Sequence, residues 1–348
     1  MVHRHGDRAP IPLTIQYIGN SQEVLELTNK YGYGQLTDAG RLCGYKLGKY
    51  IRRRYGSLLS TRYNKTEIYI RSTDSTRTKM TVLAAMAAVY PAGEDNWSND
   101  VNWTPVPYTT LPVKYDDLLA VFNCPVFINE YKRRQENPLP GLAKYKNLMT
   151  ELSDVLGVNI TKKSSTFYFM YDAFTSQKGL GIPLIPRIEE LLPNIAIAAG
   201  ESLEYIFGNK NYLSLQAGVL LKEFDREVDK LLKGKDIPRI RVYSAHDITV
   251  FQFASILGIS PPIGVPKYGA LLSLELRRDV ETGQYIVVPV YLKDPDAEEI
   301  YLHIAGCDEF CDLDSFRNLT SKYMLEEKEW RQLCEYHEDF EIDSSPID

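Results

Sequence analysis

Hydrophobic and polar positions alternate along this chain in two rhythms. Glu67-Ile-Tyr-Ile-Arg71 has the period of two expected of a half-buried strand, and Arg239-Ile-Arg-Val-Tyr243 repeats it. Each run passes through a short polar turn into a helix-like stretch. After the first, Ser72-Thr73-Asp74 leads into an Ala- and Met-rich helix over about 75–89, with Asp74 placed to cap it and Pro91 to end it. After the second, Ser244-Ala-His-Asp247 opens a helix to about Leu257. Residues 37–55 predict another helix: Thr37 can cap it, and Leu42, Tyr45, Leu47, Tyr50 and Ile51 supply an apolar stripe. Residues 270–278 and 284–292 alternate like strands around Glu281-Thr-Gly283, a hairpin signal. The stretch from about 125 to 235 is mainly helical, with its clearest amphipathic helix at 214–233. Strand–loop–helix units in both outer thirds predict one discontinuous α/β domain from residues 1–125 and 236–348. Residues 126–235 then form a mainly α-helical insertion or cap domain.

Composition narrows the function classes. At 348 residues, 44% hydrophobic and 25% charged, the chain is of ordinary globular make-up and long enough for two domains. Forty basic against 46 acidic residues give a net charge of -6, which disfavours a nucleic-acid partner, since that needs broad positive potential. No apolar run approaches the ~20 residues of a membrane span. No signal peptide precedes Arg4, so the chain is expected to begin late, with its leader removed.

Five cysteines leave at least one without an intrachain partner. Cys307 and Cys311 stand four apart. A zinc site would need a second ligand pair, and His303 is the only close histidine, so a local disulfide is the stronger reading and no metal is expected. Cys124 and Cys334 could then pair, leaving Cys43, whose neighbours Leu42, Tyr45 and Leu47 suggest a buried helix thiol. Asn64, Asn96, Asn102, Asn159 and Asn318 each begin an Asn-x-Ser/Thr sequon. With candidate disulfides, these point to an oxidising, glycosylating compartment.

Three segments carry candidate chemistry, all at strand–helix junctions. Arg4-His5-Gly6-Asp7-Arg8-Ala9-Pro10 sets two guanidiniums about an imidazole, and Gly6 permits a tight turn. Arginine suits bidentate contact with phosphate oxygens, and a neutral imidazole can attack phosphorus. Arg71-Ser-Thr-Asp-Ser-Thr-Arg77 places Arg77 in a first helical turn, where free N–H groups favour an anion. Arg71, at the strand end, is expected in a structural ion pair. Tyr243-Ser-Ala-His246-Asp247 follows a strand, where α/β sheets place ligands. There His246 can bond a phosphate oxygen and Asp247 can protonate a leaving oxygen. Together Arg4, His5, Arg8, Arg77, His246 and Asp247 supply what phosphoryl transfer needs without a cofactor. His3, His303 and His337 lack this company and are expected to be structural or exposed.

At these residues the chain resembles the histidine acid phosphatases, the group with the prostatic, lysosomal and insect venom enzymes. The Arg-His-Gly-x-Arg-x-Pro signature matches at 4–10 and the His-Asp signature at 246–247. Similarity continues through Gly34-Gln-Leu-Thr-x-x-Gly40, Arg71-Ser-Thr-Asp-x-x-Arg77, Asn102-Trp-x-Pro-Val-Pro107, Asn123-Cys-Pro125, Gly218-Val-Leu-Leu221 and Gly306-Cys-x-x-x-Cys311, with 126–210 the least similar part. The resemblance implies a phosphoglycerate-mutase-like three-layer α/β sandwich with a mainly helical insertion. It implies that His5 is phosphorylated, that Asp247 donates the proton, and that Arg4, Arg8, Arg77 and His246 hold the phosphate. It also implies the disulfides Cys124–Cys334 and Cys307–Cys311, a homodimer, and a secreted or lysosomal location. A third family disulfide has no cysteines here, so its ~2–4 kcal/mol must come from packing or be absent. The family places a strand before the signature; only Met1-Val-His3 precedes it here, which predicts a truncated central strand.

The implied activity is hydrolysis of a phosphate monoester through a phosphohistidine. A free aspartic acid has a pKa of about 3.9, and burial beside a phosphate dianion would raise it. An acid that must carry its proton predicts an acidic optimum. The rival readings are a narrower phosphatase acting on nucleotides, lysophosphatidate or phytate, a secreted binding protein on a dead scaffold, and a phosphoglycerate-mutase-type phosphotransferase. The six intact residues weigh against the dead scaffold; the sequons and cysteines weigh against a cytosolic mutase.

Overall fold

A computed structural model describes residues 1–18, 21–93, 97–119 and 122–342. Its strands are β1 (Val2–Arg4), β2 (Ile68–Thr73), β3 (Thr109–Leu111), β4 (Ile240–Ala245), β5 (Ile259–Ser260), β6 (Leu271–Arg278), β7 (Tyr285–Leu292), β8 (Glu299–Tyr301), β9 (His303–Ile304) and β10 (Cys311–Asp312). Eight of them form one mixed sheet in the order β10-β7-β6-β1-β4-β2-β3, with β8 also on β7. β1, β4, β2 and β3 are parallel, whereas β6 runs antiparallel to β1 and β7 to β6. The expected hairpin is β6–β7, turned where Asp279 accepts from the backbone N–H groups of Glu281 and Thr282. β1 has three residues and lies between β4 and the longer β6.

The helices are α1 (Gln22–Tyr31), α2 (Asp38–Tyr55), α3 (Thr76–Val89), α4 (Pro125–Glu136), α5 (Lys146–Leu156), α6 (Thr166–Gly179), α7 (Pro186–Phe207), α8 (Leu213–Leu232), α9 (Asp247–Ile256), α10 (Leu313–Thr320) and α11 (Glu327–Leu333). Alternation along β4 sends Ile240 and Val242 into a core with Leu47, Ile51, Val82 and Met86 of α2 and α3. Tyr243 and Ala245 enter another core with Leu220 of α8 and Val250 and Phe251 of α9. Helices therefore cover both faces of the sheet, giving three layers. A third core joins α5, α6 and α7 through Leu152, Phe167, Phe174, Ile188 and Ile195, and α1 adds Val24 to it.

Two sequence expectations need correction. Asp74 does not cap α3; Ser75 takes the N-cap position, and the Asp74 carboxylate is drawn instead to Lys79. In α2, Leu42 and Tyr45 face outwards, 54% and 38% exposed. The buried face carries Gly40, Gly44 and Gly48 beside Leu47 and Ile51. A Cβ on Gly48 would lie 2.0 Å from the carbonyl oxygen of Ala85 in α3. α2 thus meets α3 through backbone, a contact that hydrophobic patterning cannot register. The expected Thr37 cap is present: its Oγ accepts from Gly40 N at 3.1 Å.

Candidate active site

The parallel strands β1, β4 and β2 end at one edge of the sheet. Registers Arg4↔Ala245 and Ser72↔Ser244 bring the three sequence segments level there. His5 follows β1, His246 and Asp247 follow β4, and Arg77 sits in the first turn of α3 after β2. Arg4, His5, Arg8, Arg77, His246 and Asp247 are all buried, yet His5, Arg8, Arg77, His246 and Asp247 line one cleft. The structure therefore brings all six predicted residues together.

Gly6 is required for a different reason from the one expected. A Cβ there would stand 2.2 Å from Gly40 O, and a Cβ on Gly40 would stand 2.0 Å from Asp7 O. The signature loop lies directly on the first turn of α2. Gly6 N donates to Thr81 Oγ1 at 3.1 Å and Thr37 N to Asp7 O at 3.0 Å, so α2 and α3 both hold this loop.

The hydrogen bonds fix the tautomer of His5. Its Nδ1 lies 2.8 Å from Gly6 O. A carbonyl oxygen only accepts, so Nδ1 carries the proton and Nε2 keeps its lone pair. Burial, then Arg77, Arg4, His246 and Arg8, push the His5 pKa well below the ordinary histidine value. Burial and the same three arginines depress His246 likewise, whose Nε2 lies 3.1 Å from Thr73 Oγ1. Both imidazoles are therefore uncharged in the resting site.

Three residues of α6, Tyr168, Asp172 and Ser176, join the site without having been singled out by sequence. Asp172 Oδ1 accepts from Arg8 Nη2 at 2.7 Å and stands 3.6 Å from Arg4 Nη2. Tyr168 donates from its hydroxyl to Asp247 Oδ2 at 3.1 Å. Tyr268 lies beneath Arg4, with the guanidinium carbon 4.1 Å from its ring centroid. Ser176 Oγ, 3.0 Å from Tyr268 Oη, accepts from Arg8 Nη1 at 3.1 Å. The signal available in sequence was a lone carboxylate, Asp172, inside the apolar run Phe167–Phe174. Arg71 ion-pairs with buried Asp116.

Away from the site, Cys124 pairs with Cys334 and Cys307 with Cys311. Cys43 is a buried free thiol in α2, its pKa raised by burial and by Asp7. His3 is buried, while His303 and His337 are exposed. Asn64, Asn102, Asn159 and Asn318 are exposed; Asn96 lies outside the described residues. No group of three or more His, Cys, Asp or Glu among the described residues is arranged to hold a metal. No described helix is long and apolar enough to cross a membrane.

An uncharged imidazole ringed by three buried guanidiniums, at the carboxyl edge of parallel strands, defines the class of α/β phosphoryl-transfer proteins. The chain belongs to the histidine phosphatase superfamily (branch 2), whose family model matches residues 1–291. It is 28% identical to bovine (Bos taurus) lysosomal acid phosphatase over 347 residues, covering 96% of this chain and 79% of that one. It is 29% identical to human (Homo sapiens) prostatic acid phosphatase over 343 residues, covering 96% and 86%. Among solved structures it is similar in fold to the phytase of Citrobacter braakii, with TM-score 0.68, 16% identity and 93% and 96% of the two chains covered. It is also similar to the apo form of Hafnia alvei phytase, with TM-score 0.67, 14% identity and 96% of each chain covered.

Proposed function

We propose that this protein is an acid phosphatase that hydrolyses phosphate monoesters through a phosphohistidine on His5. The observation that carries this reading is the tautomer of His5: a neutral imidazole with its Nδ1 proton tied to Gly6 O, set among Arg4, Arg8 and Arg77. His5 Nε2 attacks phosphorus, the ester P–O bond breaks, and its electron pair leaves on the ester oxygen. The Asp247 carboxyl gives that oxygen its proton, releasing the alcohol. Water then attacks the phosphoryl group and passes a proton to the Asp247 carboxylate. The P–N pair returns to Nε2 and inorganic phosphate departs. Arg4, Arg8, Arg77 and His246 hold the non-bridging oxygens, whose charge they offset from buried positions.

Residues 126–235 act in this reading as the insertion domain that covers the site, since α6 lends Tyr168 and Asp172 to it. Beyond the phosphate cradle the cleft is lined by Leu13, Phe122, Tyr131, Phe169 and Phe207, with carboxylates of Asp74 and Asp116. Apolar walls suit an ester with one phosphate and an apolar leaving group better than a polyphosphorylated ring. Sequons on the surface and two disulfides support a secreted or lysosomal glycoprotein, and the family resemblance supports a homodimer.

The test is acid-quench trapping with a 32P-labelled aryl phosphate at pH 5, alongside turnover of aryl and alkyl esters. His5→Ala abolishes both turnover and trapped phosphoenzyme. Asp247→Ala slows alkyl phosphates at least tenfold more than aryl phosphates, whose leaving oxygens need little protonation. A rate peaking near pH 8, or phosphate trapped on His5→Ala, refutes the assignment.

A further inference from the structure

Asp247 has donors on both carboxylate oxygens, and one of them comes from the helical part of the chain. Oδ1 accepts from Ile248 N at 2.8 Å. Oδ2 lies 3.1 Å from Arg4 Nη2 and accepts from the Tyr168 hydroxyl at 3.1 Å. We propose that Tyr168 is a positioning residue for the proton-donating carboxyl, holding Asp247 Oδ2 and stabilising the carboxylate left once the proton has gone to the leaving oxygen. This rests on the reading of Asp247 as proton donor.

The geometry assigns the two oxygens different tasks. Oδ2 accepts from Tyr168 and faces the Arg4 guanidinium across an ion pair, so it is the oxygen that keeps its charge, and Oδ1 is the better seat for the transferable proton. Arg4 is a divided donor: its Nη1 is bound to Pro266 O at 2.7 Å, and its Nη2 stands between Asp172 and Asp247, where a phosphate dianion also draws it. Tyr168 is a neutral donor half-buried in the cleft wall. Burial, then the charges of Asp247 and Asp172, hold its pKa well above the ordinary tyrosine value, so it keeps its proton throughout the working range. A neutral donor orients the carboxyl without the full charge of a second cation, which would strip the acid of its proton before substrate arrives.

The other titratable groups about Asp247 are His5 and Arg8 after β1, Arg77 on α3, His246 beside it, Asp172 on α6 and Tyr268 under Arg4. Asp74, Asp116 and Tyr131 line the cleft further out. Tyr168 is the side chain that donates to Oδ2, and Arg4 is the cation paired with it.

The experiment compares pH–rate profiles of the wild type, Tyr168→Phe and Asp247→Asn with 4-nitrophenyl phosphate and with glycerol 2-phosphate. Tyr168→Phe is expected to lower kcat for glycerol 2-phosphate about tenfold and 4-nitrophenyl phosphate less than twofold, the size expected for one hydrogen bond to a charged group. On glycerol 2-phosphate the basic limb of kcat/KM moves up by about one pH unit, because the carboxylate has lost a donor. Replacing Tyr168 with 3,5-difluorotyrosine keeps the ring and strengthens the donor, and moves that limb down. Equal loss on both esters with an unmoved limb overturns the proposal and reduces Tyr168 to packing. If Asp247→Asn itself slows both esters equally, the proton-donor reading fails first, whatever Tyr168→Phe does.

Discussion

His5 and Asp172 show how single side chains in this site depend on partners distant in sequence. His5 stays uncharged because burial and three guanidiniums oppose its protonation, and two of those guanidiniums, Arg4 and Arg8, are answered by the Asp172 carboxylate. Asp172, from α6, is the counter-charge for Arg8. Asp172→Ala leaves Arg8 buried without its partner and should cost about 3–5 kcal/mol of stability. A phosphate dianion in the cradle would replace the missing charge. Inorganic phosphate should therefore raise the melting temperature of Asp172→Ala by several degrees more than that of the wild type, and calorimetry with and without phosphate reads the difference. An equal rise in both proteins would show that Asp172 does not balance the cradle. The six predicted site residues were legible because they stand in polar segments at strand–helix junctions, where a charged residue stands out. Asp172 and Tyr168 were not, because α6 reads as an apolar helix and nothing in its spacing shows which sheet edge it faces.

Elements carry the next level of dependence. Strand–turn–helix order was readable from periodicity, since β2 into α3 and β4 into α9 each switch from period two to a helical run. Packing between helices was less readable, because α2 presents glycines to its neighbours. Two of these glycines separate function from stability. A Cβ on Gly40 collides with Asp7 O in the signature loop, and one on Gly48 collides with Ala85 O in α3. Both alanine variants overpack a backbone contact and should each cost about 1–3 kcal/mol. Gly40→Ala also displaces the loop that carries His5 and Arg8, so its kcat per folded molecule should fall more than tenfold. Gly48→Ala lies away from the cleft, and its kcat per folded molecule should stay within twofold of wild type. Urea unfolding with active-site titration separates the two effects, and similar losses of kcat would contradict the assignment of Gly40 to the loop.

At the scale of the whole molecule, the chemistry and the stability pull against each other as pH falls. In the mechanism proposed above, catalysis needs acid for Asp247, yet the fold keeps His3, His5 and His246 buried and uncharged. A histidine whose folded pKa is depressed is protonated first in the unfolded chain, so its contribution is whole above pH 6.5 and is lost as pH falls towards the folded value. His3, on β1 beside β4 and β6, has its pKa pushed down to about 4 by burial. Each pH unit between 6.5 and 4 then removes about 1.4 kcal/mol, so His3 alone withdraws about 3 kcal/mol by pH 4. His5 and His246 add to this in the same direction. The Cys124–Cys334 bond joins residues 210 apart and contributes up to roughly 5 kcal/mol by chain entropy, at any pH. An acid-working enzyme with this interior therefore relies on cross-links that do not titrate. The check is His3→Gln, followed by urea unfolding at pH 7, 5.5 and 4. Whatever the variant loses at pH 7, it should regain about 1.4 kcal/mol on the wild type by pH 5.5 and about 3 by pH 4. Stability curves that stay parallel across that interval would mean that His3 is already charged in the native sheet.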